Sequence, residues 1–165
     1  MLHIGVDRMK KRWMIFISIL VVIGIAAWNM YNQNQKQQKA TEDILNHVQQ
    51  VDEVTISNGE KSMTFKGKEA TPFIESTPLV HIEKYERTDR NYFEKEPRFI
   101  VSYKVKGKTL YAVELLQLKK KLPNDRLNDF LMNEHLLVKW QGYPMMFSQH
   151  EAIQRLVDAF NAKEK

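Results

Sequence analysis

Histidine and carboxylate side chains are the common agents of acid–base catalysis and metal ligation. Beyond residue 39 the histidines are His47, His81, His135 and His150, with Glu83 and Glu134 near two of them. No pair has the His-Glu-x-x-His spacing that sets two ligands on one helix face. His81-Ile82-Glu83 would place both polar side chains on one strand face, and Glu134 is adjacent to His135. Each is more simply a solvated or capping group. There is no cysteine, no Gly-rich phosphate loop and no Gly-x-Ser-x-Gly elbow. The sequence therefore gives no catalytic residue, no metal site and no cofactor. An extracytoplasmic hydrolase using Glu83, Glu134 or His135 is the alternative reading.

Binding residues are easier to find. Tyr92, Phe93, Trp140 and Tyr143 lie in or beside expected loops, and loop aromatics either rim a groove or fold back on the core. Lys104, Lys106 and Lys108, with the run Lys119-Lys120-Lys121, make a basic neighbourhood around one expected hairpin. It reads as a solvated edge that resists strand-to-strand aggregation. The sharper reading is contact with an anionic envelope polymer or lipid headgroups.

What positions these residues begins with Trp13 to Trp28, a 16-residue run without charge. A spanning helix needs about 20 mostly apolar residues. Extension through Tyr31 gives about 19 residues and about 28 Å. Trp13, Trp28 and Tyr31 sit where aromatic belts meet headgroups. A cleaved signal peptide is the rival, but Gly24-Ile25-Ala26 is a poor cleavage motif and the apolar core is long. The third reading, a buried helix of a soluble protein, does not explain the flanks. Arg8, Lys10, Lys11 and Arg12 crowd one side, against Lys36 and Lys39 on the other. By the positive-inside rule the N-terminus is cytoplasmic and the rest of the chain outside.

The expected organisation is a basic tail at 1–12, a membrane anchor at 13–31, a polar spacer at 32–40 and one extracytoplasmic domain at 41–165. The formal charge of +5 lies in the first 39 residues, where six basic side chains face one acidic one. The remaining 19 basic and 19 acidic side chains balance, so the domain lacks the excess that nucleic acid binding requires. The excess instead sets topology and attracts anionic lipid. Without cysteines the domain must rest on its core alone, and there is no Asn-x-Ser/Thr sequon. Both absences suit a bacterial envelope protein.

Within the domain, Thr41-Glu42-Asp43 reads as a helix start carrying Ile44, Leu45 and Val48. Val54–Ser57 and Ser62–Phe65 alternate around Asn58-Gly59, which predicts a type I′ hairpin with Val54 opposite Met63. Residues 69–77 suggest a short helix broken by Pro72, residues 80–85 a strand, and 87–97 a loop. Phe99, Val101 and Tyr103 alternate, and a loop at Lys106-Gly107-Lys108 returns Tyr111, Val113 and Leu115 opposite them. Leu110, Leu116 and Leu118 make that return strand apolar on its other face, hence central. Leu122–Asp125 opens a predicted helix carrying Leu127, Phe130 and Leu131. Leu136–Trp140 reads as a strand and Gln141–Pro144 as a turn. Ser148-Gln149-His150-Glu151 matches a capping box before Ile153, Leu156, Val157 and Phe160 on one helical face.

The expected fold class is α+β: a transmembrane helix, then one small domain with a mainly antiparallel sheet and a C-terminal amphipathic helix packed on it. The expected role is a membrane-anchored, non-catalytic module that binds or regulates an envelope protein, peptide or wall polymer. Its other expected partner is the lipid bilayer, through residues 13–31. Protease added outside intact cells should digest residues 40–165. Protection of the domain until the cells are lysed would reverse the assigned topology.

Overall fold

The computed structural model describes residues 4–74, 78–80, 89–122, 127, 130–132, 136–147 and 150–163. The chain forms two compact units, residues 1–42 and 43–165. A single helix, α1 (Ile4–His47), contains the whole apolar run. Among the described residues it is the one helix long and apolar enough for a membrane span or a signal sequence, and none of its apolar window is buried against protein. The spacer is not a break. Gln, Asn and Lys are tolerable helix formers, so residues 32–40 continue the helix and Thr41 does not start a new one.

In the domain Ile44 and Val48 are buried while Leu45 is exposed. Seven described strands follow in one sheet, all paired antiparallel; from edge to edge they start at Ser62, Glu53, Phe99, Lys108, Leu136, Tyr143 and Pro78. They are β1 (Glu53–Ser57), β2 (Ser62–Lys66), β3 (Pro78–Val80), β4 (Phe99–Val105), β5 (Lys108–Gln117), β7 (Leu136–Trp140) and β8 (Tyr143–Phe147). A two-residue strand, β6 (Leu131–Met132), pairs with β7 beside this path.

The central pairing matches the alternation of the sequence. Phe99 stands opposite Leu115, Val101 opposite Val113 and Tyr103 opposite Tyr111. The two tyrosine rings stack at 4.4 Å. The loop is tighter than three residues. Lys106 (φ 51°) and Gly107 (φ 77°) both take left-handed backbone, as a two-residue hairpin turn requires. Val105 then pairs with Lys108, and a register shift after Tyr103 restores the apolar pairs.

The first hairpin differs from expectation by one turn position. Val54 pairs with Phe65 and Ile56 with Met63. Asn58 does not sit at the tip but flanks it. Its Oδ1 accepts the amides of Glu60 (3.2 Å) and Lys61 (2.9 Å), so Gly59 and Glu60 make the tip. Moving the turn by one residue moves the register by two, which leaves every side chain on its intended face.

Other differences have local causes. Of the helix expected at 69–77, residues 75–77 lie outside the described residues; before them the chain forms two short 3₁₀ turns, Gly67–Glu69 and Thr71–Phe73, and Pro72 cannot donate the bond an α-helix would need there. Leu131 lies in a strand opposite Leu137, not in a helix. Gln141 (φ 48°) and Gly142 (φ 85°) complete a two-residue turn, so Tyr143 and Pro144 belong to β8. Of the strand expected at 80–85, only Val80 lies among the described residues, at the end of β3.

The last helix, α2 (Glu151–Ala162), buries Ile153, Leu156, Val157 and Phe160 as its periodicity predicts. Its start is later than the capping box implies. His150 takes left-handed backbone (φ 32°) at the N-cap, and its carbonyl accepts the Gln154 amide at 2.9 Å. Glu151 is therefore the first helical residue, not the third, and Ser148 lies outside the described residues. The helix contacts β1, and Phe160 meets Phe99 edge-on at 5.5 Å. Arg155 Nε also donates to the Pro72 carbonyl at 3.0 Å, tying α2 to the second 3₁₀ turn.

The sheet thus has two different faces. One carries Val54, Ile56, Phe99, Val101, Tyr103, Val113, Leu115 and Val138, all buried. The other is polar near β1 and β2, where Thr55 and Thr64 hydroxyls meet at 3.0 Å. Near β5 and β7 it becomes apolar, and Leu116 and Leu137 cluster with Phe93, Leu127 and Phe130. Phe160→Ala should lower stability by about 3–5 kcal/mol, because the ring is 3% exposed. Denaturant melts check this; a loss below about 1 kcal/mol would mean that α2 is not part of the core.

Candidate functional site

The four aromatics marked by the sequence do not form one rim. Phe93 is 1% exposed and Trp140 is 4% exposed. Phe93 bridges to Leu118 and belongs to the apolar cluster on the second face of the sheet. Trp140 follows Val138 by two residues in β7 and so points to the same core face. That alternation was readable in the sequence. Tyr143 pairs with Trp140 across the turn and is half-buried. Tyr92 is also half-buried, with Lys120 Nζ over its ring at 4.7 Å.

The lysines divide as well. Lys104 is half-buried, and its Nζ lies 2.5 Å from Glu53 Oε1. Lys66 Nζ reaches the other Glu53 oxygen at 3.1 Å. Two ammonium groups on one carboxylate, in a row across β2, β1 and β4, make a structural ion pair. Lys106 and Lys108 are exposed at the hairpin tip. The Lys106 amide donates to both Asp52 carboxylate oxygens, at 3.1 and 3.2 Å. The Asp52 amide in turn donates to the Lys104 carbonyl at 3.0 Å. Lys119 and Lys120 belong to the other end of the sheet. The ten residues of β5 hold them about 30 Å from Lys108. The sequence suggested a single basic neighbourhood because it counts residues, whereas an extended strand turns residues into distance.

A recess lies at that far end. A cleft of about 310 Å³ is lined by Arg90, Glu94, Lys95 and Lys139, with Phe93 and Leu116 at its apolar side. Its frame is the segment 89–98. A 3₁₀ turn, Asp89–Tyr92, leads in. The Tyr92 carbonyl accepts the Lys119 amide at 2.9 Å, the Glu94 amide donates to Gln117 at 2.8 Å, and the Arg98 amide donates to Leu115 at 2.9 Å. The chain is therefore held to β5 on both sides of residues 95–97, which bow away from the ladder. Part of the expected 87–97 loop is thus built structure. A second, more open recess of about 630 Å³ shares Glu94 and Lys95 and continues past Glu96, Arg98 and Lys119.

Charge is unevenly placed in the cleft. Lys139 is paired with Glu114. Arg90 and Lys95 are exposed and, among the described residues, have no carboxylate partner. Arg90, Glu94, Lys95 and Lys139 belong to no motif in the sequence. The one available signal was Lys139, the single charge in the apolar strand Leu136–Trp140.

Among the described residues chemistry is sparse elsewhere. Glu83, Glu134, His81 and His135 lie outside the described residues. His47 Nδ1 sits 2.9 Å from the Asp43 carbonyl, a bond within its own helix. Among the described residues no three His, Asp or Glu side chains group to hold a metal ion. Burial pushes the His150 imidazole below its usual range.

Hydrogen bonding from Lys104 first, then Lys66, holds the Glu53 carboxyl below the ordinary carboxylate range. A carboxylate with a depressed folded pKa contributes stability above its unfolded value, and that contribution fades as pH falls through the folded value. Glu53→Gln should therefore be less stable than the parent at pH 7, and the two should converge in acid. Denaturant melts from pH 7 to pH 2 check this; a constant difference would mean that the ion pair is not its source. No family model matches the sequence, and no curated protein or solved structure matches the chain.

Proposed function

We propose that the chain is a single-pass, membrane-anchored, non-catalytic binding module. Its N-terminus is cytoplasmic, its domain lies outside, and its partner is an envelope protein, peptide or wall polymer. The anchor rests on the apolar run in α1 and on Arg8, Lys10, Lys11 and Arg12 before it. The binding role rests on one observation: a braced cleft that combines an apolar side with the exposed cations Arg90 and Lys95. Concave sites with a few convergent polar groups are the usual ligand sites of small domains. The paired Lys66, Glu53 and Lys104 are assigned to stability, not to ligand.

The test is capture from envelope membranes solubilised in mild detergent, with the full-length chain as bait. The parent should retain a discrete partner, and Arg90→Glu with Lys95→Glu should lose most of it while melting like the parent. Retention of the same partner by both proteins would remove the cleft from the binding role.

A further inference from the structure

We propose that the cleft beside Phe93 receives a short acidic peptide segment carrying an apolar side chain next to its carboxylates. This deepens the binding-module reading and rests on it. Arg90 and Lys95 are the cations of the cleft without a carboxylate partner among the described residues, whereas Lys139 already faces Glu114. An arginine fork takes a carboxylate through two parallel N–H bonds. Phe93 and Leu116 are buried behind the same cleft, and the aliphatic stems of Arg90, Lys95 and Lys139 add apolar surface at its wall.

The acids of the site separate a peptide from a uniform polyanion. Glu94 lines the cleft, and Glu94 and Glu96 line the adjoining recess. A phosphodiester chain would meet these carboxylates with like charge at every repeat. A peptide brings backbone N–H donors for them, together with its own carboxylates for the cations. The volume of about 310 Å³ lies at the small end of ligand pockets, which hold about 300–1,000 Å³. It suits a few side chains, with the rest of the segment continuing toward Arg98 and Lys119 in the adjoining recess. The backbone bonds of residues 92–98 to β5 form the groove in advance, so less ordering opposes binding.

The test uses the full chain in nanodiscs of zwitterionic lipid and fluorescein-labelled pentapeptides, read by anisotropy. Asp-Leu-Glu-Leu-Asp should bind more tightly than Asp-Ser-Glu-Ser-Asp, and Lys-Leu-Lys-Leu-Lys should bind least. Arg90→Glu with Lys95→Glu should weaken the acidic peptide by about tenfold or more and strengthen the basic one. Lys106→Glu with Lys108→Glu makes the same charge change at the other end of β5 and should leave binding within about twofold. Thermal melts confirm that both double variants fold.

Equal losses from the two double variants, equal binding of the serine peptide, or no binding at millimolar peptide would each overturn the proposal. So would displacement of the peptide by poly(glycerol phosphate) bound through the same two cations with higher affinity. If no peptide binds while the membrane partner is still captured, this inference fails and the binding-module reading stands. If neither binds, both fail.

Discussion

Strand β5 is the constraint on which the domain depends. It is buried on both faces, with Val113 and Leu115 on one side and Leu116 on the other. A strand of that kind is stable only with neighbours at both edges and cover on both faces. Strands β4 and β7 supply the edges. The face carrying Leu115 is covered by α2 through Phe160 and Phe99. The opposite face is covered by Phe93, Leu127 and Phe130. Every other strand is placed by its distance from β5 in the sheet.

The cleft is a consequence of the same constraint. The second face needs cover only where Leu116 and Leu137 are apolar, and the segment that enters β4 supplies it by laying Phe93 down. Backbone bonds then hold that segment along β5, which leaves Arg90, Glu94 and Lys95 projecting around the join. A core requirement thus builds a recess whose rim is polar and whose wall is apolar. Toward β1 and β2 the same face is a plain surface of threonine and serine with the Lys66, Glu53 and Lys104 row, and it needs no cover.

Three tight turns show how far local chemistry sets register. Lys106-Gly107 and Gln141-Gly142 each place two successive residues at positive φ, with glycine second. Asn58-Gly59 has the same composition, yet the asparagine side chain takes over the amides of Glu60 and Lys61. Its competition with the backbone moves the tip by one residue. The apolar pattern survives because a shift of two in register preserves faces.

Much of this was determined by sequence periodicity alone. The uncharged run in α1, the alternation of Phe99 to Tyr103 and Tyr111 to Leu115, and the apolar face of α2 each repeat over enough residues to specify one element. The α+β class and the central place of β5 follow from them. Tertiary structure decided what periodicity does not encode. Phe93 became core because Leu116, Leu127, Phe130 and Leu137, all distant in sequence, cluster with it. Leu131 became strand because Leu137 lies opposite it. Lys108 and Lys119 were separated by the length of the strand between them. The cleft was invisible because Arg90, Lys95 and Lys139 belong to two segments that meet only across β5. Their convergence is a property of strand order, and no local pattern records strand order.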